Sequence, residues 1–126
     1  MLNEGRKPLV FVVDDEPNIA RTTALILCSQ GFDSRGFTEP LMALEAARRE
    51  APNLLLSDVI MPSLNGYELA SKILEDCPEC KALLFTGNPS ARESFAATAA
   101  EKSLEILLKP IQPLYLLSVV RRKLDA

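Results

Sequence analysis

Apolar residues along this chain gather into five short runs, each followed by a stretch with helical spacing. Leu9 to Val13 is continuously apolar, as expected of a parallel strand covered on both faces. Pro17 suits the first turn of a helix, Ala20, Ala24 and Leu27 share one face of it, and Gly31 stands where a C-terminal cap glycine belongs. Phe32 to Phe37 is the least apolar strand candidate, which predicts an edge position. Thr38 is the expected N-cap of a second helix, with Pro40 in its first turn and Leu41, Leu44 and Ala47 running down it. Pro52 closes that helical region, and Leu54 to Leu56 lead a third strand up to Asp58.

Asp58 to Asn65 reads as a turn-rich loop because it holds Met61-Pro62 and runs into Asn65-Gly66. A short helix with Leu69 and Ile73 on one face follows. Lys81 to Thr86 is the fourth strand, the alanine-rich Ser90 to Lys102 the fourth helix, and Leu104 to Leu108 the fifth strand. After Lys109-Pro110, Pro113 to Leu124 forms the last helix. Five β-α units in succession predict an α/β fold, a doubly wound parallel sheet wrapped on both faces by helices. The expected organisation is a single domain over residues 1–126 with its core at about 9–124 and no output domain in this chain.

Composition narrows the function. Lys and Arg total 14 against 17 Asp and Glu, a net charge of -3, so there is no global basic field to neutralise phosphates, which argues against direct nucleic-acid binding. No apolar run approaches the roughly 18 residues of a membrane span, and Met1 to Pro8 lacks the apolar stretch of a signal peptide; a cytoplasmic protein with no membrane partner is expected. The three cysteines make no disulfide framework. Histidine is absent, which excludes Ser-His-Asp and Cys-His catalysis, His-ligated zinc and a phosphohistidine carried by the chain itself.

The chemistry-bearing residues fall at the carboxyl ends of the apolar strands: Asp14 and Asp15 after the first, Asp58 after the third, Thr86 closing the fourth and Lys109 closing the fifth. In open α/β sheets ligands sit outside those ends, so these groups converge on one crevice. Crowded carboxylates raise one another's pKa unless a cation offsets their charge. With no histidine and no thiolate cluster, Mg2+ is the natural candidate. The set suits phosphoryl transfer, with Asp58 as the nucleophile, the metal and the Lys109 ammonium each offsetting charge on one phosphoryl oxygen, and the Thr86 hydroxyl bonding the third.

The series Val12-Val13-Asp14-Asp15-Glu16-Pro17, then Leu56-Ser57-Asp58-Val59-Ile60-Met61-Pro62 with Asn65-Gly66, then Leu84-Phe85-Thr86-Gly87, then Leu107-Leu108-Lys109-Pro110 resembles the response-regulator receiver family of two-component signalling. The likeness covers roughly Leu9 to Leu124. It implies a flavodoxin- or CheY-like five-stranded sheet of order 2-1-3-4-5 with five helices, and phosphorylation of Asp58 by a phosphohistidine on a sensor histidine kinase or phosphotransfer protein. It also implies magnesium held by Asp15, with Asp14 behind it, by Asp58 and by the Ile60 backbone carbonyl, and a cis Lys109-Pro110 bond. The output would be a change in contacts with a downstream protein that the sequence does not name; the last helix also offers a face for a homodimer.

Two positions depart from the family pattern: Ile106 stands where an aromatic ring is usual three residues before the lysine, and Gly87 follows Thr86 where Ala is common. Ile60 and Asn88 occupy positions where the family varies water access to the phosphoryl group. Two competing functions are a small magnesium-dependent phosphatase or phosphotransferase with an aspartyl-phosphate intermediate, and a receiver that binds partners without phosphorylation. The first expects a second carboxylate just downstream of the nucleophile, where Val59 and Ile60 stand, and the second is at odds with the intact acidic, Thr86 and Lys109 set. Asp14-Asp15 alone would equally suit a solvated helix entrance, and Lys109 alone a surface lysine. Cys77-Pro78-Glu79-Cys80 spells a C-x-x-C, but cysteine and histidine supply too few ligands for structural zinc, and the pair sits away from a helix N-terminus. Arg121-Arg122-Lys123 reads as cation placement in a last helical turn, and Tyr115, Leu116 and Val119 are a partner surface if they lie on the outer side of that helix.

Overall fold

A computed structural model describes residues 6–101 and 104–125. Strands β1 (Leu9–Val13), β2 (Asp33–Phe37), β3 (Leu54–Asp58), β4 (Lys81–Thr86) and β5 (Glu105–Leu108) alternate with helices α1 (Pro17–Ser29), α2 (Pro40–Arg49), α3 (Gly66–Asp76), α4 (Pro89–Glu101) and α5 (Pro113–Asp125). The strands form one sheet of order β2-β1-β3-β4-β5 with every pairing parallel. This is the doubly wound, CheY-like arrangement that the alternation of apolar runs and helical stretches predicts. Lys102, the expected last residue of the fourth helix, lies outside the described residues, as does the start of the chain, Met1 to Gly5.

Successive side chains of a strand point to opposite faces, so a continuous apolar run fills two cores at once. Phe11 and Val13 join Leu55, Leu84 and Ile106 beneath α2, α3 and Ala99 of α4, whereas Val10 and Val12 join Leu54, Leu56, Leu83 and Phe85 beneath α1 and α5. β2 is an edge strand, with its residues only half-buried or exposed.

Three local expectations are corrected. Phe32 is buried but precedes β2, because its amide bonds the Leu27 carbonyl at 3.2 Å and so finishes α1, with Gly31 in the left-handed region at φ 96°. Glu39, not Thr38, is the N-cap of α2, and Leu41 is 54% exposed while Pro40, Ala43, Leu44 and Ala47 form the buried stripe. Leu116 and Val119 are buried, so the condition on which Tyr115, Leu116 and Val119 would form a partner surface is met only by Tyr115, at 54% exposed.

Asn65-Gly66 is a helix start rather than a turn. The Asn65 side chain accepts the Glu68 amide at 2.8 Å while the Glu68 carboxylate accepts the Asn65 amide at 3.1 Å, a reciprocal capping box. Gly66 is required by proximity: a Cβ there would lie 2.1 Å from the Asp58 carbonyl oxygen, whereas one on Gly87 would meet nothing within 4 Å. Gly66→Ala is therefore expected to destabilise the protein by about 1–3 kcal/mol through forced displacement of backbone, and Gly87→Ala to leave stability unchanged or raise it by about 0.4–1 kcal/mol. Urea unfolding of the two variants beside the parent checks both signs.

Candidate functional site

Parallel pairing brings every strand's carboxyl end to one side of the sheet, and backbone hydrogen bonds tie these ends together beyond the strands. The Asp14 amide donates to the Phe37 carbonyl at 3.0 Å, Val59 to Phe85 at 2.8 Å and Lys109 to Thr86 at 2.8 Å. Of the residues expected from the sequence, Asp14, Asp58 and Lys109 line one crevice, and Thr86 closes the neighbouring strand. One carboxylate oxygen from each of Asp14, Asp15 and Asp58 falls within 4.8 Å of the others, a grouping that can hold a metal ion.

Burial separates the three. Asp14 is only 4% exposed, Asp58 is half-buried and Asp15 is exposed. The Asp14 carboxylate accepts the Glu16 amide at 2.9 Å on one oxygen and the Lys109 ammonium at 2.9 Å on the other. The same ammonium lies 3.2 Å from Asp58 Oδ1. Lys109 therefore bridges the deepest carboxylate and the proposed nucleophile, and its bond to Pro110 is cis.

A cavity of about 270 Å³ opens beside this pair, walled by Val12, Leu56, Phe85, Ile111 and Leu116. With apolar walls in place of water, burial pushes the Asp58 carboxyl above its ordinary value; the Lys109 charge opposes that rise, and Asp14 and Asp15 add to it. Burial by itself would lower Lys109, but the hydrogen bond it donates to Asp14 and the charge of Asp58 outweigh that and hold the ammonium above its ordinary value. The pair is thus favoured in its charged form on the lysine side and under-compensated on the carboxylate side.

Thr86 ends β4 at 2% exposure, and its hydroxyl accepts the Asn88 amide at 3.1 Å, which leaves its proton free to turn toward another acceptor. Ile60 stands between buried Val59 and buried Met61 with its own side chain 57% exposed. Ile106 is buried in the core beneath α2, α3 and α4, opposite Leu84 of β4.

Two contributors were missed by sequence reasoning. Ser57, a polar residue within an otherwise apolar strand, is fully buried and donates its hydroxyl to the Asp58 carbonyl at 2.9 Å. Gly66 packs against that same carbonyl. The serine's signal was its polarity amid Leu54 to Leu56; the glycine's was masked by a dipeptide that equally marks a turn.

Comparison with known proteins agrees with this geometry. The chain is similar to the probable transcriptional regulatory protein TcrX of Mycobacterium tuberculosis, 29% identical over 77% of this chain and 42% of that protein. It is also similar to the phosphoglycerate transport system transcriptional regulatory protein PgtA of Salmonella typhimurium, 30% identical over 88% of this chain and 26% of that protein. The chain thus spans less than half the length of these two relatives. Among solved structures, a response regulator receiver domain protein (CheY-like) from Methanospirillum hungatei superposes with a TM-score of 0.85 at 28% identity, over 95% of each chain. The family model for the response regulator receiver domain matches residues 10–121, from the second residue of β1 well into α5, and this chain belongs to that family.

Proposed function

We propose that this receiver domain accepts a phosphoryl group on Asp58 from a phosphohistidine of a partner kinase or phosphotransfer protein, in a magnesium-dependent reaction in the cytoplasm. The observation that carries the proposal is the Lys109 ammonium held 2.9 Å from Asp14 and 3.2 Å from Asp58, beside a third carboxylate. Three carboxylates against one ammonium leave an excess of negative charge that suits a hard divalent cation with oxygen ligands. Asp15, Asp58 and the Ile60 carbonyl would hold Mg2+, with Asp14 behind them. When bound, the ion supplies positive charge to offset the oxygens of the incoming phosphoryl group.

A carboxylate oxygen of Asp58 attacks phosphorus as the bond to the imidazole nitrogen breaks; with one proton taken from solvent onto the donor ring, the products are an acyl phosphate on the aspartate and a neutral histidine on the donor. Lys109, already in contact with Asp58, remains beside the negative charge carried by the product. The Thr86 hydroxyl, free to donate, takes one phosphoryl oxygen. Its rotation requires no backbone change, since its present bond is as an acceptor. The output is a change in contacts with a partner protein. No described helix is long and apolar enough to cross a membrane.

Incubation with magnesium and acetyl phosphate is expected to add one phosphoryl group, seen by intact mass, that is lost in Asp58→Asn and on chelation. Lys109→Ala should label about 100-fold more slowly, the usual cost of removing one charge-stabilising donor. Equal labelling of the Asp58→Asn variant would reject the assignment.

Readout of the modification is constrained by Ile106, whose β-branched side chain has restricted χ1 and is already buried. A swing of this residue offers little difference in contact energy between two states, and a modification shifts an equilibrium only by such differences. Backbone amide NMR with and without a beryllofluoride phosphate mimic is expected to show the largest shifts at Thr86 to Ser90 and small ones at Leu104 to Leu108. Shifts of equal size in the two segments would refute the proposed route.

A further inference from the structure

The Cys77-Pro78-Glu79-Cys80 segment plays no part in phosphoryl chemistry, and its geometry is specific. It joins α3 to β4, and the Cys80 amide donates to the Cys77 carbonyl at 3.0 Å, closing a β-turn with proline at its second position. Such a turn holds its first and fourth Cα atoms within about 7 Å, which overlaps the separation of roughly 4.4–6.8 Å that a disulfide needs. Both cysteines pack into the core beneath α2 and α3, so their side chains leave the turn on the same side of the sheet. The Cys77 sulfur reaches toward the Ala47 carbonyl of α2 at 3.9 Å and the Cys80 sulfur toward the Lys81 carbonyl at 3.2 Å. Both are free thiols, Cys77 half-buried and Cys80 buried.

We propose that Cys77 and Cys80 form a modification site: an intramolecular disulfide made by exchange with a small disulfide oxidant of the glutathione type. Cys77, the more exposed of the two, is the entry point. It loses its proton and attacks one sulfur of the oxidant, whose S–S bond breaks and releases one thiol. Cys80 then loses its proton and attacks the Cys77 sulfur of the mixed disulfide, releasing the second thiol. The cysteine pair gives up two electrons and two protons, and the oxidant is reduced to two thiols that carry both.

The surroundings set the character of the switch. Burial pushes the Cys77 thiol up and the Cys80 thiol up to about 12, so little thiolate is present at neutral pH and closure is slow. High-pKa thiols are also poor leaving groups, so the closed bond is slow to be reduced. Its position gives it reach: α3 begins at Gly66 against the Asp58 carbonyl, and β4 ends at Thr86, so the bond would tie together the far ends of two elements that frame the phosphorylation crevice.

The test uses the full chain carrying Cys28→Ser, because exposed Cys28 would otherwise take up the oxidant. After prolonged incubation of the folded protein with oxidised glutathione, intact mass and peptide mapping are expected to show loss of two hydrogens, no retained glutathione, and a Cys77–Cys80 link within a monomer. Adding Cys80→Ala should convert this product into a stable glutathione adduct on Cys77. Glutathione retained on Cys77 while Cys80 is still present, a disulfide-linked dimer, or an unchanged mass would each overturn the proposal.

Discussion

Withdrawing Asp14 from water leaves a carboxylate that solvent no longer screens, and among the described residues the cation in contact with it is Lys109. Removing one partner of such a buried pair costs about 3–5 kcal/mol, because the remaining charge is stranded. That requirement holds the lysine chain inward across the end of the sheet. Once there, the ammonium lies within 3.2 Å of Asp58 as well, so a group retained for the stability of one carboxylate also serves the other. With Asp15 added, negative charge still exceeds positive, and burial keeps Asp58 protonated to a higher pH than an ordinary aspartate.

The convergence follows from the sheet rather than from any local contact. In a parallel sheet the strands all finish at one edge, and the register aligns Val13 with Ser57, Asp58 with Phe85 and Thr86 with Leu108. Asp14, Asp58, Thr86 and Lys109 therefore sit within one residue of a common level. The backbone bonds from Asp14 to Phe37, Val59 to Phe85 and Lys109 to Thr86 continue the ladder past its formal end. Side chains that are up to 95 residues apart in the chain thereby acquire fixed separations.

Strands β1, β3, β4 and β5 and the helices between them were legible because their apolar runs leave little choice of element, whereas β2, Asp33–Phe37, carries a single large apolar residue and was placed by its neighbours and its edge character. The site residues were legible for a related reason: polar groups at the ends of apolar strands are visible against their background. Errors arose where competing local signals share a residue type. Thr38 and Glu39 both precede Pro40, and the proline fixes the helix start without a side-chain cap. Leu41 is apolar yet faces out, because the inward stripe of α2 runs through Pro40, Ala43, Leu44 and Ala47 at i, i+3, i+4 and i+7, which turns Leu41 away from the sheet. Leu116 and Val119 are buried since the inward stripe of α5 also includes Leu117 and Val120, too broad a face to resolve from spacing alone. Gly66 and Ser57 act through proximity to a backbone oxygen, a tertiary fact that no sequence window contains.

The surroundings of the crevice are unevenly braced. On one side the strand ends are locked by the extended ladder, and α3 is pinned by its capping box and by the fit of Gly66 against Asp58. A capping interaction of this kind contributes about 1 kcal/mol, and the glycine contact leaves no room for a shift toward the site. On the other side the start of α4 rests on the Asn88 side chain, which accepts the Ser90 amide at 2.9 Å and the Ala91 amide at a longer 3.4 Å. Gly87 before it is exposed, with open space around its Cα. Asn88 is also the residue whose amide occupies the Thr86 hydroxyl, so a change in what that hydroxyl bonds reaches this entrance first. Displacement there disturbs one exposed side-chain cap, whereas displacement of the strands would break a buried ladder and two cores. The difference in bracing makes the α4 entrance the yielding part of the crevice and leaves the sheet as its fixed frame.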